Sequence, residues 1–209
     1  GVAVDFDALP DKAKPDDTVA AVQKLWDDRL KAAGFNVIQF PVDARELGDK
    51  GAGRLAKLCG WAKANNVRLA PTLLGAAPGE KLPSDYPDKV AAFATRTVEL
   101  VGKGDPSAYA QIMFYQLERP LNHPGNHGPM ETAQVAELLN TAVTKLHAAE
   151  QGALAGSSLQ ATPVLAPVSF DYELIRVGAI ANTPLGDDDY SQAYAATHDY
   201  LAALLGTAP

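Results

Sequence analysis

Hydrophobic and polar positions along the chain follow two alternating periods. Short segments rich in β-branched and aromatic residues are typical of strands. They alternate with longer segments whose apolar residues recur every three or four positions, as in helices. The pattern predicts strands at residues 1–7, 35–43, 67–74, 109–118 and within 158–172. It predicts helices at residues 18–34, 52–65, 88–103, 131–151, 173–181 and 188–205.

Five successive β-then-α units predict an α/β fold with a parallel sheet and right-handed crossovers. Two architectures fit this order: a partial TIM-barrel-like arrangement of about five β/α units and, as the alternative, an open doubly wound sheet. A doubly wound sheet usually carries a glycine-rich phosphate turn after its first strand, and the segment VDFDALPDK has none. No low-complexity linker divides the chain, so we expect a single domain over residues 1–209.

Polar side chains share one parity near the carboxyl ends of the predicted strands. A parallel strand buried on both faces would be apolar throughout, whereas a barrel carries its functional groups at the carboxyl ends of its strands. The residues concerned are Asp5, Asp7, Gln39, Asp43, Gln116, Glu118, Ser169 and Asp171, with Thr72 ending the third strand and Tyr172 as a stacking candidate. Together they predict a ligand-binding mouth. Each aspartate could instead cap the helix that follows its strand.

Composition and charge narrow the classes of partner. The chain has 209 residues, with 18 Lys and Arg against 25 Asp and Glu, for a formal net charge of −7. Nucleic-acid binding draws most of its affinity from clustered cations, so no nucleic-acid partner is expected. No run of about 18 apolar residues exists, and no membrane span is predicted. A compact neutral ligand or a protein partner remains open, and no cofactor is predicted.

Other residues with potential chemistry receive plainer interpretations. His123 and His127 are weak candidates for zinc ligands, but they lie in a Pro- and Gly-rich loop where solvated histidines are usual, so no metal is predicted. Trp26 and Trp61 fall on apolar helix stripes and are expected in the core. Cys59, the only cysteine, is expected as a small buried hydrophobe. No Gly-x-Ser-x-Gly elbow is present, which disfavours an esterase.

The segment FATRTVELVGKGDPSAYAQIMFYQLERPLNHPG resembles the helix, fourth strand and following loop of (β/α)8-barrel glycoside hydrolases, the clan of cellulases, mannanases and β-galactosidases. GFNVIQFPVD is similar to the second strand of that clan and NVRLAPTLLG to its third, so the likeness covers roughly residues 1–130. The fourth strand of the clan ends in Asn-Glu-Pro, and its Glu is the general acid/base. The resemblance therefore implies that Glu118 occupies the position of this acid.

The chain also departs from the clan. Leu117 stands where the clan has Asn, and Arg119 is inserted before Pro120. The nucleophile of the clan follows its seventh strand, whereas this chain predicts five strands. Hydrolysis needs a second carboxylate about 5 Å away for retention or about 6.5–9.5 Å away for inversion. Asp171, after the fifth predicted strand, is the substitute we consider.

Length favours a scaffold over a hydrolase. Five units in 209 residues average about 42 residues each, and eight such units would need roughly 300 or more. We therefore expect a degenerate or incomplete barrel that lacks its last strands. The expected function is an exported, bacterial, glycosidase-like domain that binds carbohydrate or a protein partner within an oligomer or larger assembly, without efficient catalysis. The alternative is an active glycoside hydrolase that uses Glu118 with Asp171.

The expected location is extracellular or periplasmic. It depends on the absence of an initiator Met, on the Ala-rich acidic composition and on the carbohydrate resemblance.

Overall fold

Five parallel strands form one sheet in the computed structural model, which describes residues 2–3, 15–102, 104–119, 130–157, 159–165 and 187–205. The strands are β1 (Val2–Ala3), β2 (Val37–Val42), β3 (Arg68–Leu73), β4 (Tyr115–Leu117) and β5 (Val164–Leu165). Their spatial order is β1-β2-β3-β4-β5, and every neighbouring pair is parallel. The prediction of a parallel α/β fold is confirmed. A doubly wound sheet reverses its strand order at one point, whereas the five described strands follow chain order.

Helices connect the strands and pack beside one another in the same order. They are α1 (Pro15–Leu25), α2 (Asp49–Asn65), α3 (Tyr86–Thr97), α4 (Pro106–Tyr109), α5 (Thr132–Ala153) and α6 (Asp187–Leu205). Single π-helical turns, Trp26–Leu30 and Val98–Gly102, extend α1 and α3. The contacts run from α1 to α2, α2 to α3, α3 to α5 and α5 to α6. The helices therefore form a row that matches the order of the strands.

This row of helices covers one face of β2. Ile38, Phe40 and Val42 are buried, whereas the residues between them, Val37, Gln39 and Pro41, are only half-buried. Because side chains alternate between the two faces of a strand, the alternation marks an apolar face toward the helices and a less covered face on the other side. On β2 that second face carries Gln39, one of the polar residues of the predicted mouth.

The core contains the aromatic and sulfur side chains that the apolar stripes predict. The rings of Trp26 and Trp61 pack edge to face, with centroids 6.0 Å apart at an interplanar angle of 88°. Cys59 of α2 is fully buried, and this burial raises the pKa of its thiol. Complete burial of a large apolar side chain stabilises the fold by about 1.5–3 kcal/mol. The core predictions for Trp26, Trp61 and Cys59 are confirmed.

The prediction of a strand at residues 109–118 is wrong for the first half of this range. Asp105 instead caps α4, and its carboxylate accepts a hydrogen bond of 3.1 Å from the Ala108 N–H. The Asp105-Pro106 pair begins this helix because Asp caps well and Pro is favoured in the first turn. A single bridge from Ile112 to Leu69 follows before β4 begins. The helix predicted at 173–181 lies outside the described residues.

None of the described helices is both long and apolar enough to cross a lipid bilayer.

Candidate functional site

Three polar side chains meet on the face of the sheet away from the helices. Thr72 and Gln116 lie near the carboxyl ends of their strands, and Gln39 reaches them from within β2. Gln39 of β2 donates through Nε2 to Thr72 Oγ1 of β3 at 3.1 Å and to Gln116 Oε1 of β4 at 2.8 Å. We call these three residues the amide row. All three were predicted as ligand-binding residues, and the fold brings them into direct contact.

Strand register explains why the amide row forms. Thr72 pairs with Gln116 across β3 and β4, so the two side chains stand side by side. Thr72 also pairs with Pro41, and Gln39 lies two residues before Pro41 on the same face of β2. A long amide side chain spans such a diagonal separation.

The amide row keeps hydrogen-bonding capacity that its internal contacts do not use. Gln39 donates its two side-chain N–H groups to Thr72 and Gln116. Its side-chain oxygen, Oε1, accepts no hydrogen bond from the described residues. Gln116 donates one N–H to the Glu118 carbonyl oxygen at 3.0 Å and retains a second. The row therefore offers an acceptor and a donor that carry no charge.

Glu118 lies just beyond this row and is fully buried. Its carboxylate accepts hydrogen bonds from the backbone N–H groups of Gly75 and Arg119. Gly75 lies in the β3–α3 loop (residues 74–85) and packs closely against the buried Tyr86. A Cβ added at this position would lie 2.4 Å from Cδ2 of Tyr86. Burial raises the pKa of Glu118, and the backbone N–H groups and the Arg119 charge offset part of that effect.

The backbone of Glu118 adopts a left-handed conformation, with φ of 65°. A non-glycine residue there costs roughly 1–2 kcal/mol, and such residues cluster at functional sites. The Glu118 N–H donates to the Leu73 carbonyl at 3.1 Å, so the turn directly follows the last pairing of β3 with β4. This turn carries the side chain of Glu118 under the β3–α3 loop.

Two charged residues border the amide row. Arg119 donates through Nη1 to the Ala76 carbonyl at 3.0 Å and lies 3.9 Å from a Glu118 carboxylate oxygen. Asp43 caps the 3-10 turn Ala44–Glu46 by accepting from the Arg45 N–H at 3.1 Å. Hydrogen bonds from Arg45 and, more weakly, the charge of Arg119 hold the pKa of Asp43 below its ordinary value. Asp43 thus has the capping role that the sequence left open for each aspartate.

Seven of the candidate site residues lie outside the described residues: Asp5, Asp7, Ser169, Asp171, Tyr172, His123 and His127. Their roles stay predictions, as does the pairing of Glu118 with Asp171. Within the described ranges no three His, Cys, Asp or Glu side chains are grouped as metal ligands.

A second buried carboxylate, which sequence reasoning missed, lies at the opposite end of the sheet. Glu150 of α5 accepts from the Tyr109 hydroxyl at 2.5 Å, and from the Thr162 hydroxyl at 2.6 Å and backbone N–H at 2.8 Å. Tyr115 completes the cluster, with its hydroxyl 3.2 Å from that of Tyr109. The signal was present in the pattern, because Glu150 falls four residues after Leu146 on the apolar stripe of α5.

Comparison with protein-family models finds no match for this chain, and comparison with curated proteins finds no significant match either. The resemblance to barrel glycoside hydrolases therefore stays a prediction.

Proposed function

We propose that this chain is a glycosidase-like β/α domain that binds carbohydrate at the carboxyl end of its sheet and does not hydrolyse it efficiently. The observation that carries the proposal is the amide row of Gln39, Thr72 and Gln116. Neutral donors and acceptors on a fixed strand scaffold match the hydroxyl groups of a sugar, which also donate and accept. Strands keep such groups in place better than loops do.

Strand order supports the barrel-like part of the proposal. In a β/α barrel each strand lies beside its neighbours in sequence, and ligands bind at the carboxyl ends of the strands. The order β1-β2-β3-β4-β5 and the single row of helices have this sequential arrangement. The amide row lies at the end where such a fold would bind its ligand.

The burial of Glu118 argues against efficient catalysis. A general acid must come within hydrogen-bond reach of the glycosidic oxygen. The Glu118 side chain is fully buried, and it accepts hydrogen bonds from Gly75 and Arg119 of the protein backbone. A carboxylate in this position holds the β3–α3 loop.

Calorimetric titration with a panel of oligosaccharides tests the proposal. Wild-type protein should bind at least one of them, and Gln39→Ala should weaken that binding about 10-fold or more, because a buried hydrogen bond to a ligand is worth about 1–3 kcal/mol when its partner is lost. Gln111→Ala is the matched control, since Gln111 donates to the Ser107 carbonyl at the other end of the sheet. Absence of binding across the panel, or equal losses in both variants, would refute the proposal.

An active hydrolase is the second candidate, and one observation favours it. Burial raises the pKa of Glu118, and a raised pKa is what a glycosidase general acid requires. Turnover of a polysaccharide panel that disappears in Glu118→Gln, with the fold retained by circular dichroism, would establish this activity. The predictions of export, of an oligomer and of a protein partner stay predictions.

A further inference from the structure

Arg119 is held at the border of the amide row. Gln116 of the row donates to the Glu118 carbonyl, and Arg119 is the next residue along the chain. Its Nη1 bonds the Ala76 carbonyl, so the guanidinium crosses from the end of β4 to the β3–α3 loop. The side chain is 27% exposed, and within the described residues its Nε and Nη2 have no hydrogen-bond acceptor. Among the described residues, one edge of the guanidinium is therefore unoccupied and partly exposed.

Among the described residues no carboxylate makes a hydrogen bond with the Arg119 guanidinium. The nearest carboxylate, Glu118, lies 3.9 Å away and is engaged by backbone N–H groups. Asp43 bonds its own partner, Arg45, at 3.3 Å. Glu80 and Lys81 of the β3–α3 loop add one charge of each sign. The formal charges of these groups cancel, with Arg119, Arg45 and Lys81 against Glu118, Asp43 and Glu80. Recognition of an anionic ligand would therefore depend on the unoccupied edge of the Arg119 guanidinium and not on an excess of positive charge.

We propose that the ligand of the amide row carries a carboxylate, as a hexuronate-containing oligosaccharide does, and that Arg119 binds this carboxylate. The inference rests on the proposed carbohydrate-binding function and names the class of sugar. The amide row binds hydroxyl groups, which every sugar has. A guanidinium edge binds a planar carboxylate with two parallel hydrogen bonds, an arrangement that a neutral sugar cannot provide.

Titration of acidic oligosaccharides beside their methyl esters tests this inference, because the ester keeps the shape of the sugar and removes its charge. The probes are oligogalacturonide, oligomannuronate and oligoglucuronate, each with its ester. Wild-type protein should bind at least one acid about 10-fold more tightly than the ester, and added salt should reduce the difference. Arg119→Gln should bind acid and ester equally. Arg119→Lys should keep part of the preference, which a purely structural role of Arg119 would not predict.

Arg68→Gln is the matched control. Arg68 also donates its Nη1 to a backbone carbonyl, that of Ala110 at 2.5 Å, but it does so at the amino end of the sheet. The Arg68→Gln variant should retain the full preference for the acid over the ester. If wild-type protein binds ester as tightly as acid and Gln39→Ala weakens both, the acidic-sugar inference is overturned and the carbohydrate site remains. If no acid or ester or neutral sugar binds, both proposals fail.

Discussion

Glu118 and Glu150 are the two fully buried carboxylates in the described part of the chain, and they lie at opposite ends of the sheet. Glu150 joins α5 to Tyr109 and Thr162, the residues that lead into β4 and β5. Glu118 instead accepts from the backbone of a loop and of its own turn. Glu150 thus connects segments at the amino end of the sheet. Glu118 instead positions the β3–α3 loop beside the amide row, whose side chains keep unused hydrogen-bond donors and acceptors.

The difference separates a polar cluster that joins segments of the fold from polar groups that keep unused donors and acceptors. In β/α barrels the amino ends of the strands serve stability and the carboxyl ends serve ligands. In the described residues the cluster around Glu150 is enclosed by side chains, while the amide row faces away from the helices. The proposed function assigns these same two roles to the two ends of the sheet.

Replacement of Glu150 by Ala should have the largest effect. It leaves the Tyr109 hydroxyl and both Thr162 donors buried without their acceptor, at about 1–3 kcal/mol for each unsatisfied group. We expect a loss of roughly 3–5 kcal/mol in the free energy of unfolding, measured in urea. Glu137→Ala, at an exposed position of the same helix, should change it by about 0.5 kcal/mol or less. Similar losses in the two variants would show that Glu150 does not hold the amino end.

Two tyrosines provide a matched pair for the two ends. Tyr109→Phe removes a hydrogen bond to a carboxylate, worth about 1.5–3 kcal/mol, whereas Tyr86→Phe removes one to the Leu73 carbonyl, worth about 0.5–1.5 kcal/mol. Urea unfolding should therefore rank Tyr109→Phe as the more destabilised. The reverse ranking would contradict the assignment of the stronger polar cluster to the amino end.

Glu118→Gln should show a pH dependence as well as a modest loss of stability. The folded-state pKa of Glu118 is raised from 4.5 by burial, so this group contributes its full stability below its unfolded pKa and loses it as pH rises through the folded value. Glutamine does not titrate, and its amide N–H group faces backbone donors, so the variant should be less stable by about 1 kcal/mol at acidic pH. Urea unfolding between about pH 4 and pH 8 should show the advantage of the wild type shrinking as pH rises. An advantage that grows with pH would show that the folded protein prefers the ionised carboxylate.

Gln39→Ala should have the smallest effect on stability. Its hydrogen bonds are only partly buried, so water replaces them in the variant, and the free energy of unfolding should fall by about 0.5–1 kcal/mol. The same variant should show the loss of sugar binding described above. A loss of several kcal/mol in thermal or urea unfolding would identify the amide row as a structural network of the same kind as the Glu150 cluster.

Local patterns determined the parts of this protein that depend on near neighbours. The helix predicted at residues 52–65 ends at Asn65 in the structure, where Asn66 follows in a left-handed conformation. Alternating parity in β2 placed Gln39 on the face opposite Ile38, as observed. The same reasoning failed at Asp105-Pro106, where capping outweighs the strand pattern of the residues that follow.

The roles of the two carboxylates could only be decided by tertiary structure. Strand parity predicts that Glu118 lies on the same face as Gln116. In the structure a left-handed turn at Glu118 directs its carboxylate to the backbone N–H of Gly75 in the β3–α3 loop. No local sequence pattern predicts such a turn at a glutamate. Glu150 appears in the sequence as a polar residue on an apolar stripe, and its partners Tyr109 and Thr162 come from other segments. The sequence by itself determined most of the elements, the faces of β2 and the residues of the amide row, because side-chain periodicity is a property of the local backbone. Burial and hydrogen-bond partners depend on contacts between segments that are distant in the chain, and only the tertiary structure determines those contacts.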